Sequence, residues 1–172
     1  FYNINNLNLS AGENKIILSK IKINKNLEVE DFEKIIVKTF DKNDKNNDFL
    51  INKLDEIIIS GERFDAQPLL KSLYKNNKKG ILSKKLSTQI KVNIDKALTG
   101  TDDDIFNFSM IATYDKGSYS KLSMKGNFSE NEIIEMSIYQ VNEDKKTLQV
   151  ISDRARPFIK NFDFIEGFEG GK

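Results

Sequence analysis

Three consecutive aspartates, Asp102, Asp103 and Asp104, are the densest group of hard oxygen ligands in the chain. Successive strand residues alternate between faces, so these carboxylates diverge rather than converge on a cation. They read as the polar start of a strand. The run Asp41-Lys42-Asn43-Asp44-Lys45-Asn46-Asn47-Asp48 has the acid and amide content of a calcium loop. Lys45 stands where a ligand is required, Asn46 replaces the turn glycine, and Asn52 replaces the closing bidentate glutamate. A polar hairpin turn accounts for it. Gly167-Phe168-Glu169-Gly170-Gly171-Lys172 superficially resembles a phosphate loop. Glu166 stands where the first glycine is needed, and no Ser or Thr follows Lys172. Glu62 and Asp65 have the chemistry for acid–base catalysis, yet nothing brings a partner to them, and Asp65 is placed to cap a helix.

The chain of 172 residues has no cysteine, histidine or tryptophan. That excludes the usual transition-metal sites and any Ser–His or Cys–His nucleophile pair. The expectation is a non-catalytic protein with no metal and no cofactor. Lys+Arg is 27 against Asp+Glu 26, a formal net charge of +1, which gives no electrostatic reason to expect a nucleic-acid partner. A cysteine-free chain is at home in an oxidising periplasm. At 38% hydrophobic and 31% charged residues, it should fold. No run approaches the ~18 apolar residues of a membrane helix. Both ends read as cuts in a longer chain, so residues 1–172 are expected to be one segment of a larger protein.

The elements that must carry any function are strands. Leu86, Ile90, Val92 and Ile94 share one parity, and Ser87, Gln89, Lys91 and Asn93 the other. Phe106, Phe108, Met110, Ala112 and Tyr114 repeat the pattern, then Leu122 and Met124, then Ile134, Met136 and Ile138, then Leu148 and Val150. Such alternation gives a sheet one apolar face. Gly100–Asp104, Asp115–Ser118, Asn127–Asn131 and Asn142–Lys145 are of hairpin length, which predicts an antiparallel meander of five strands over 81–151. In the first half, residues 1–64, the runs Phe1–Leu9, Lys15–Asn24, Glu33–Phe40 and Phe49–Gly61 alternate less cleanly. Phe32, Ile35, Ile36 and Phe40 also fit a helical period, but the β-branched Ile35-Ile36-Val37 favours a strand. Two short helices are expected, one over 65–80 capped by Asp65, the other in 152–172 capped by Ser152 or Asp153. The fold class is mainly β: a curved antiparallel sheet with two short helices.

The helices supply few apolar side chains to cover so many strands. Part of the apolar face is therefore either covered by another segment or left for a ligand, the competing reading being an ordinary sheet core covered by helices or a second sheet. A closed core suits a β-sandwich binding or adhesion module.

Two stretches carry a family resemblance. Ile59-Ser60-Gly61-Glu62-Arg63-Phe64-Asp65-Ala66-Gln67-Pro68-Leu69-Leu70 resembles a strand-to-helix junction in bacterial AsmA-like proteins. Ile151-Ser152-Asp153-Arg154-Ala155-Arg156-Pro157-Phe158-Ile159 resembles the short helix that follows a strand in the same family. Arg154 and Arg156 depart from the acid and glycine common there. The resemblance spans Leu54–Lys172, including the strands between.

It implies an AsmA-like repeat forming an open groove or half-barrel in a long parent protein. That parent would be anchored in the inner membrane of a Gram-negative bacterium and extend through the periplasm. The implied partners are phospholipid or another acyl-chain lipid, the membrane through the parent, and neighbouring segments of the parent chain. The implied role is phospholipid transport to, or maintenance of, the outer membrane. An apolar trough removes a cost of ~0.8 kcal/mol per CH₂ that an acyl chain incurs in water. The expected lining is Ile90, Val92, Ile94, Phe106, Phe108, Met110, Leu122, Met124, Met136 and Ile138.

Overall fold

A computed structural model of the chain describes residues 1–42, 44–68, 86–115, 118–142 and 145–154. Eleven strands account for most of them: β1 (Tyr2–Ala11), β2 (Asn14–Ile23), β3 (Val29–Asp31), β4 (Lys34–Asp41), β5 (Asp44–Lys53), β6 (Ile57–Asp65), β7 (Thr88–Leu98), β8 (Ile105–Asp115), β9 (Ser118–Ser129), β10 (Glu132–Gln140) and β11 (Lys146–Ser152). All belong to one hydrogen-bonded sheet in the order β1-β2-β4-β5-β6-β7-β8-β9-β10-β11, with β3 attached to β2. Every neighbouring pair is antiparallel except β6 and β7, which run parallel. Among the described strands the sheet is open, with β1 and β11 at its two ends.

The period-two segments of the second half become β7 to β11, five consecutive antiparallel neighbours. The ambiguous segment around Ile35 is strand, as its β-branched content favours. It does not run unbroken from residue 30. β3 and β4 lie end to end along the same side of β2, separated by Phe32 and Glu33.

Two boundaries differ from expectation. The run Phe49–Gly61 is not one strand, because Leu54, Asp55 and Glu56 turn the chain and start β6. The polar stretch Asp41–Asp48 is not a long turn either. Asp44 already pairs with Asp41, and Asn47 with Thr39, so most of the stretch is strand. Its polar side chains are used across strands: Thr39 Oγ1 donates to Asn46 Oδ1 at 2.7 Å, and Asn47 Oδ1 accepts from the Asp65 backbone N–H at 2.9 Å.

The expected helix after β6 lies outside the described residues beyond Pro68. Gln67 and Pro68 are helical, and the Gln67 N–H donates to Asp65 Oδ1 at 3.0 Å in capping geometry. The helix expected after β11 lies outside the described residues beyond Arg154.

The sheet bends along one line. Gly61 and Phe64 in β6, Ile94 and Ala97 in β7, and Phe108 and Ile105 in β8 are register partners. In each strand the two inward residues are three apart instead of two. The residues that absorb the slip are Glu62, Asp95 and Asn107, and Asn107 takes a left-handed φ of 51°. Asparagine tolerates that region better than most residues.

The sheet also curls. Five strand spacings of about 4.8 Å separate β2 from β8, roughly 24 Å if flat. Yet buried side chains from both ends of that span belong together. Ile21 and Phe32 join one apolar cluster with Ile90, Ala112 and Tyr114. A second cluster lies beyond the bend: Ala97, Ile105, Phe128 and Ile134.

Candidate functional site

Register places one apolar side chain from each of ten strands in a single row. Leu7, Leu18, Ile35, Ile51 and Ile59 are successive partners from β1 to β6. Val92, Met110, Met124, Met136 and Val150 continue the row to β11. Cross-strand apolar neighbours of this kind each contribute about 0.2–1 kcal/mol relative to alanine pairs, so the row also holds the register. A second row runs beside it through Ile57, Ile90, Ala112, Leu122, Ile138 and Leu148.

The opposite face differs between the two halves. Its matching row reads Asn8, Ile17, Ile36, Leu50, Ser60, Asn93, Ser109, Lys125, Glu135 and Ile151. From Ser60 to Glu135 it is polar, which is the clean alternation of the second half. Between β2 and β5 it is apolar, so those strands carry Ile, Val and Leu on both sides. That is why alternation in the first half looked blurred.

Exposure along the apolar face is graded. Ile90, Val92 and Ile94 are covered, at 5%, 7% and 2% exposure. Phe108, Met110, Leu122, Met124, Met136 and Ile138 are half-buried. At the β11 edge Leu148 and Val150 are open, at 60% and 43%. The apolar face is therefore sealed at its centre and opens toward β11.

Nine of the ten expected lining residues share this face, and Phe106 does not. The left-handed turn of backbone at Asn107 puts Ile105 inward beside Phe108 and Met124. Phe106 turns to the other side, 41% exposed, with the Lys96 ammonium 5.2 Å from its ring centre. Its register partners there are Lys96 and Asn127. Ile51, Ile59, Leu148 and Val150 belong to the face and were not singled out from sequence. Leu148 and Val150 carried the same parity signal as Met136 and Ile138. Ile51 and Ile59 were hidden by the missed turn at Leu54.

The carboxylates considered for chemistry have other partners. Asp104 pairs with Lys96 at 2.9 Å, and the buried Asp103 pairs with Arg154 at 2.6 Å, while Asp102 is exposed. Glu62 pairs with Lys45 at 2.7 Å, and Lys45 also reaches Asp48 at 2.7 Å. Both acids hold the Lys45 ammonium above its usual pKa range, with the Asp48 hydrogen bond as the larger cause. Among the described residues no group of three or more Asp or Glu is placed to hold a metal ion. Comparison with protein-family models, with curated proteins and with solved structures finds no match.

Proposed function

We propose that this chain is a non-catalytic segment of an AsmA-like envelope protein, and that its apolar sheet face shields the acyl chains of a phospholipid. The observation that carries this reading is the row from Leu7 to Val150, apolar in all ten strands and progressively uncovered toward β11. A row that served only a closed core would be covered at both ends. Met124, Met136, Ile138, Leu148 and Val150 form the part of the face that an acyl chain reaches. Methionine side chains adapt to irregular apolar partners, which suits chains of differing length. The AsmA-like resemblance supplies the remainder of the proposal: a periplasmic location, a parent anchored in the inner membrane, and phospholipid transport to or maintenance of the outer membrane.

The test is native mass spectrometry of the purified chain, before and after incubation with phospholipid vesicles. Retained phospholipid that disappears in Met124→Glu and Met136→Glu, with circular dichroism unchanged, supports the proposal. A lipid-free mass under both conditions overturns it.

A second reading is favoured by the burial of Ile90, Val92 and Ile94. On that reading the face is the closed core of a binding or adhesion module, and the loops contact a protein or glycan. The described strands form one sheet rather than the two packed sheets expected of a sandwich.

A further inference from the structure

The two ends of the strands differ in what their connections carry. Leu27, Leu54 and Val141 lie in the connections between β2 and β3, β5 and β6, and β10 and β11. Register sets all three at one end of the sheet. They stand 76%, 74% and 54% exposed. Tyr2 and Tyr139, at the same end of β1 and β10, are 61% and 46% exposed. At the opposite end the described connections, 12–13, 42, 66–68, 99–104 and 130–131, hold no large apolar residue and include Glu13, Asp102 and Glu130. Curl gathers the first end into a compact rim, because Ile21 and Phe32, on either side of the Leu27 turn, pack with Ile90 and Tyr114. Those residues and Ile57 are buried and fill the interior there, so the rim is not the mouth of the apolar face.

Leu27 is the least expected of these side chains. It takes a left-handed φ of 64°, a conformation costly for leucine and easier for asparagine or glycine. The turn holds it there. Asn24 Oδ1 accepts from the Asn26 and Glu28 N–H groups at 2.9 and 3.0 Å, and the Leu27 N–H donates to the Asn24 carbonyl at 3.0 Å. A leucine strained in its backbone and open to water contributes nothing to the stability of the fold. Local strain of this kind points to a contact made outside the chain.

We propose that this rim rests on the surface of a lipid bilayer, with Leu27, Leu54 and Val141 inserted at the boundary of headgroups and acyl chains. Val141 lies two residues beyond Tyr139, roughly 7 Å along an upright strand, which leaves the tyrosine at headgroup level. Interfacial apolar groups bury about 5–10 Å deep, a reach these tips match. Polar residues separate the anchors: Lys25 and Asn26 before Leu27, Asp55 and Glu56 after Leu54, and Asn142 after Val141. Anchors isolated in this way form no continuous patch for a protein surface of fixed shape, whereas a fluid bilayer takes each one separately. Lys25, Lys53 and Lys145 are matched by Glu28, Asp55 and Glu56, so the attachment is apolar rather than electrostatic. The rim is distinct from the acyl-chain face of β9 to β11, and this inference goes beyond that reading.

The test is co-sedimentation of the whole chain with phosphatidylcholine vesicles, and Leu27→Asn is the informative variant. Asparagine suits the left-handed backbone, so the denaturation midpoint should hold or rise while vesicle partitioning falls about tenfold. Combining Leu27→Asn with Leu54→Asn should remove detectable pelleting. Ile111→Asn is the control, because Ile111 is 58% exposed in the middle of β8, away from the rim. It should pellet as the wild type does. Wild-type chain that stays in the supernatant, Ile111→Asn as weak as Leu27→Asn, or a double variant that still pellets would overturn the proposal. Met124→Glu, which removes acyl-chain retention on the reading above, should pellet normally, so the two proposals fail separately. Loss of pelleting in that variant would assign vesicle binding to the acyl-chain face instead.

Discussion

Arg154 donates from Nη1 to Asp103 Oδ1 at 2.6 Å, joining residues 51 apart in sequence. The same guanidinium donates from Nε to Glu132 at 3.0 Å and stacks 5.7 Å from the Phe128 ring centre. It thus ties the turn between β7 and β8 to the start of β10. The Asp103 side chain is only 8% exposed, and a carboxylate so placed is costly without a counter-charge. Arg154→Ala should lower the denaturation midpoint in urea titration. Asp103→Asn should recover part of that loss in the Arg154→Ala background. Purely additive effects would show that the pair contributes nothing beyond its separate contacts.

Tyr114 is 5% exposed, and burial is the largest of the causes raising its hydroxyl above the usual pKa of 10.0, followed by Tyr119 and Glu28. The folded state then holds its proton where the unfolded chain has released it. The contribution of Tyr114 to stability is therefore constant below about pH 10 and is lost as pH rises above that value. Thermal melts of the wild type should show this alkaline decline. Tyr114→Phe should flatten it, and an unchanged slope would place its origin elsewhere.

A Cβ built at Gly61 would sit 2.2 Å from the Asp48 carbonyl oxygen and 2.5 Å from the Phe49 Cα. Both obstacles are backbone, at the irregularity where β5 and β6 shift register. The neighbouring Phe49 and Phe64 rings meet edge to face at 5.5 Å, so the strands have little room to part. Gly61→Ala should cost about 1–3 kcal/mol, read as a lower denaturation midpoint at an unchanged slope.

The slip at Asn107 reverses which of two adjacent residues is inside. Ile105→Lys should destabilise strongly, by about 3 kcal/mol or more, because it puts a charge beside Ala97, Phe128 and Ile134. Phe106→Lys should cost less than about 1 kcal/mol, mostly from the lost contact with Lys96. Equal losses would contradict the inward placement of Ile105.

Strand content was legible because hydrophobic parity is a local signal. Met110, Met124, Met136 and Val150 needed only period two to be placed on one face. The bend was not legible, since Glu62, Asp95 and Asn107 are ordinary polar strand residues that act together only through register. The parallel join of β6 to β7 was equally hidden, because parity fixes a face and not a direction. Burial was the third thing out of reach. Ile94 and Met136 carry the same alternation signal, yet curl covers one and leaves the other half-open.

That contrast sets a graded prediction for the face itself. Ile94 is 2% exposed within the larger apolar cluster, so Ile94→Glu buries a carboxylate among Val92, Ala112 and their neighbours. Nothing there can solvate the charge, and the loss should reach about 4 kcal/mol or more, enough to unfold many domains. At Met136 the side chain is half-buried and its partner Val150 is open at the edge, so a glutamate there can bend into water. Met136→Glu should cost less than about 2 kcal/mol and leave a folded chain. Chemical denaturation of the two variants side by side measures the difference. If both unfold alike, the face is sealed along its whole width, and the acyl-chain proposal loses its entry point.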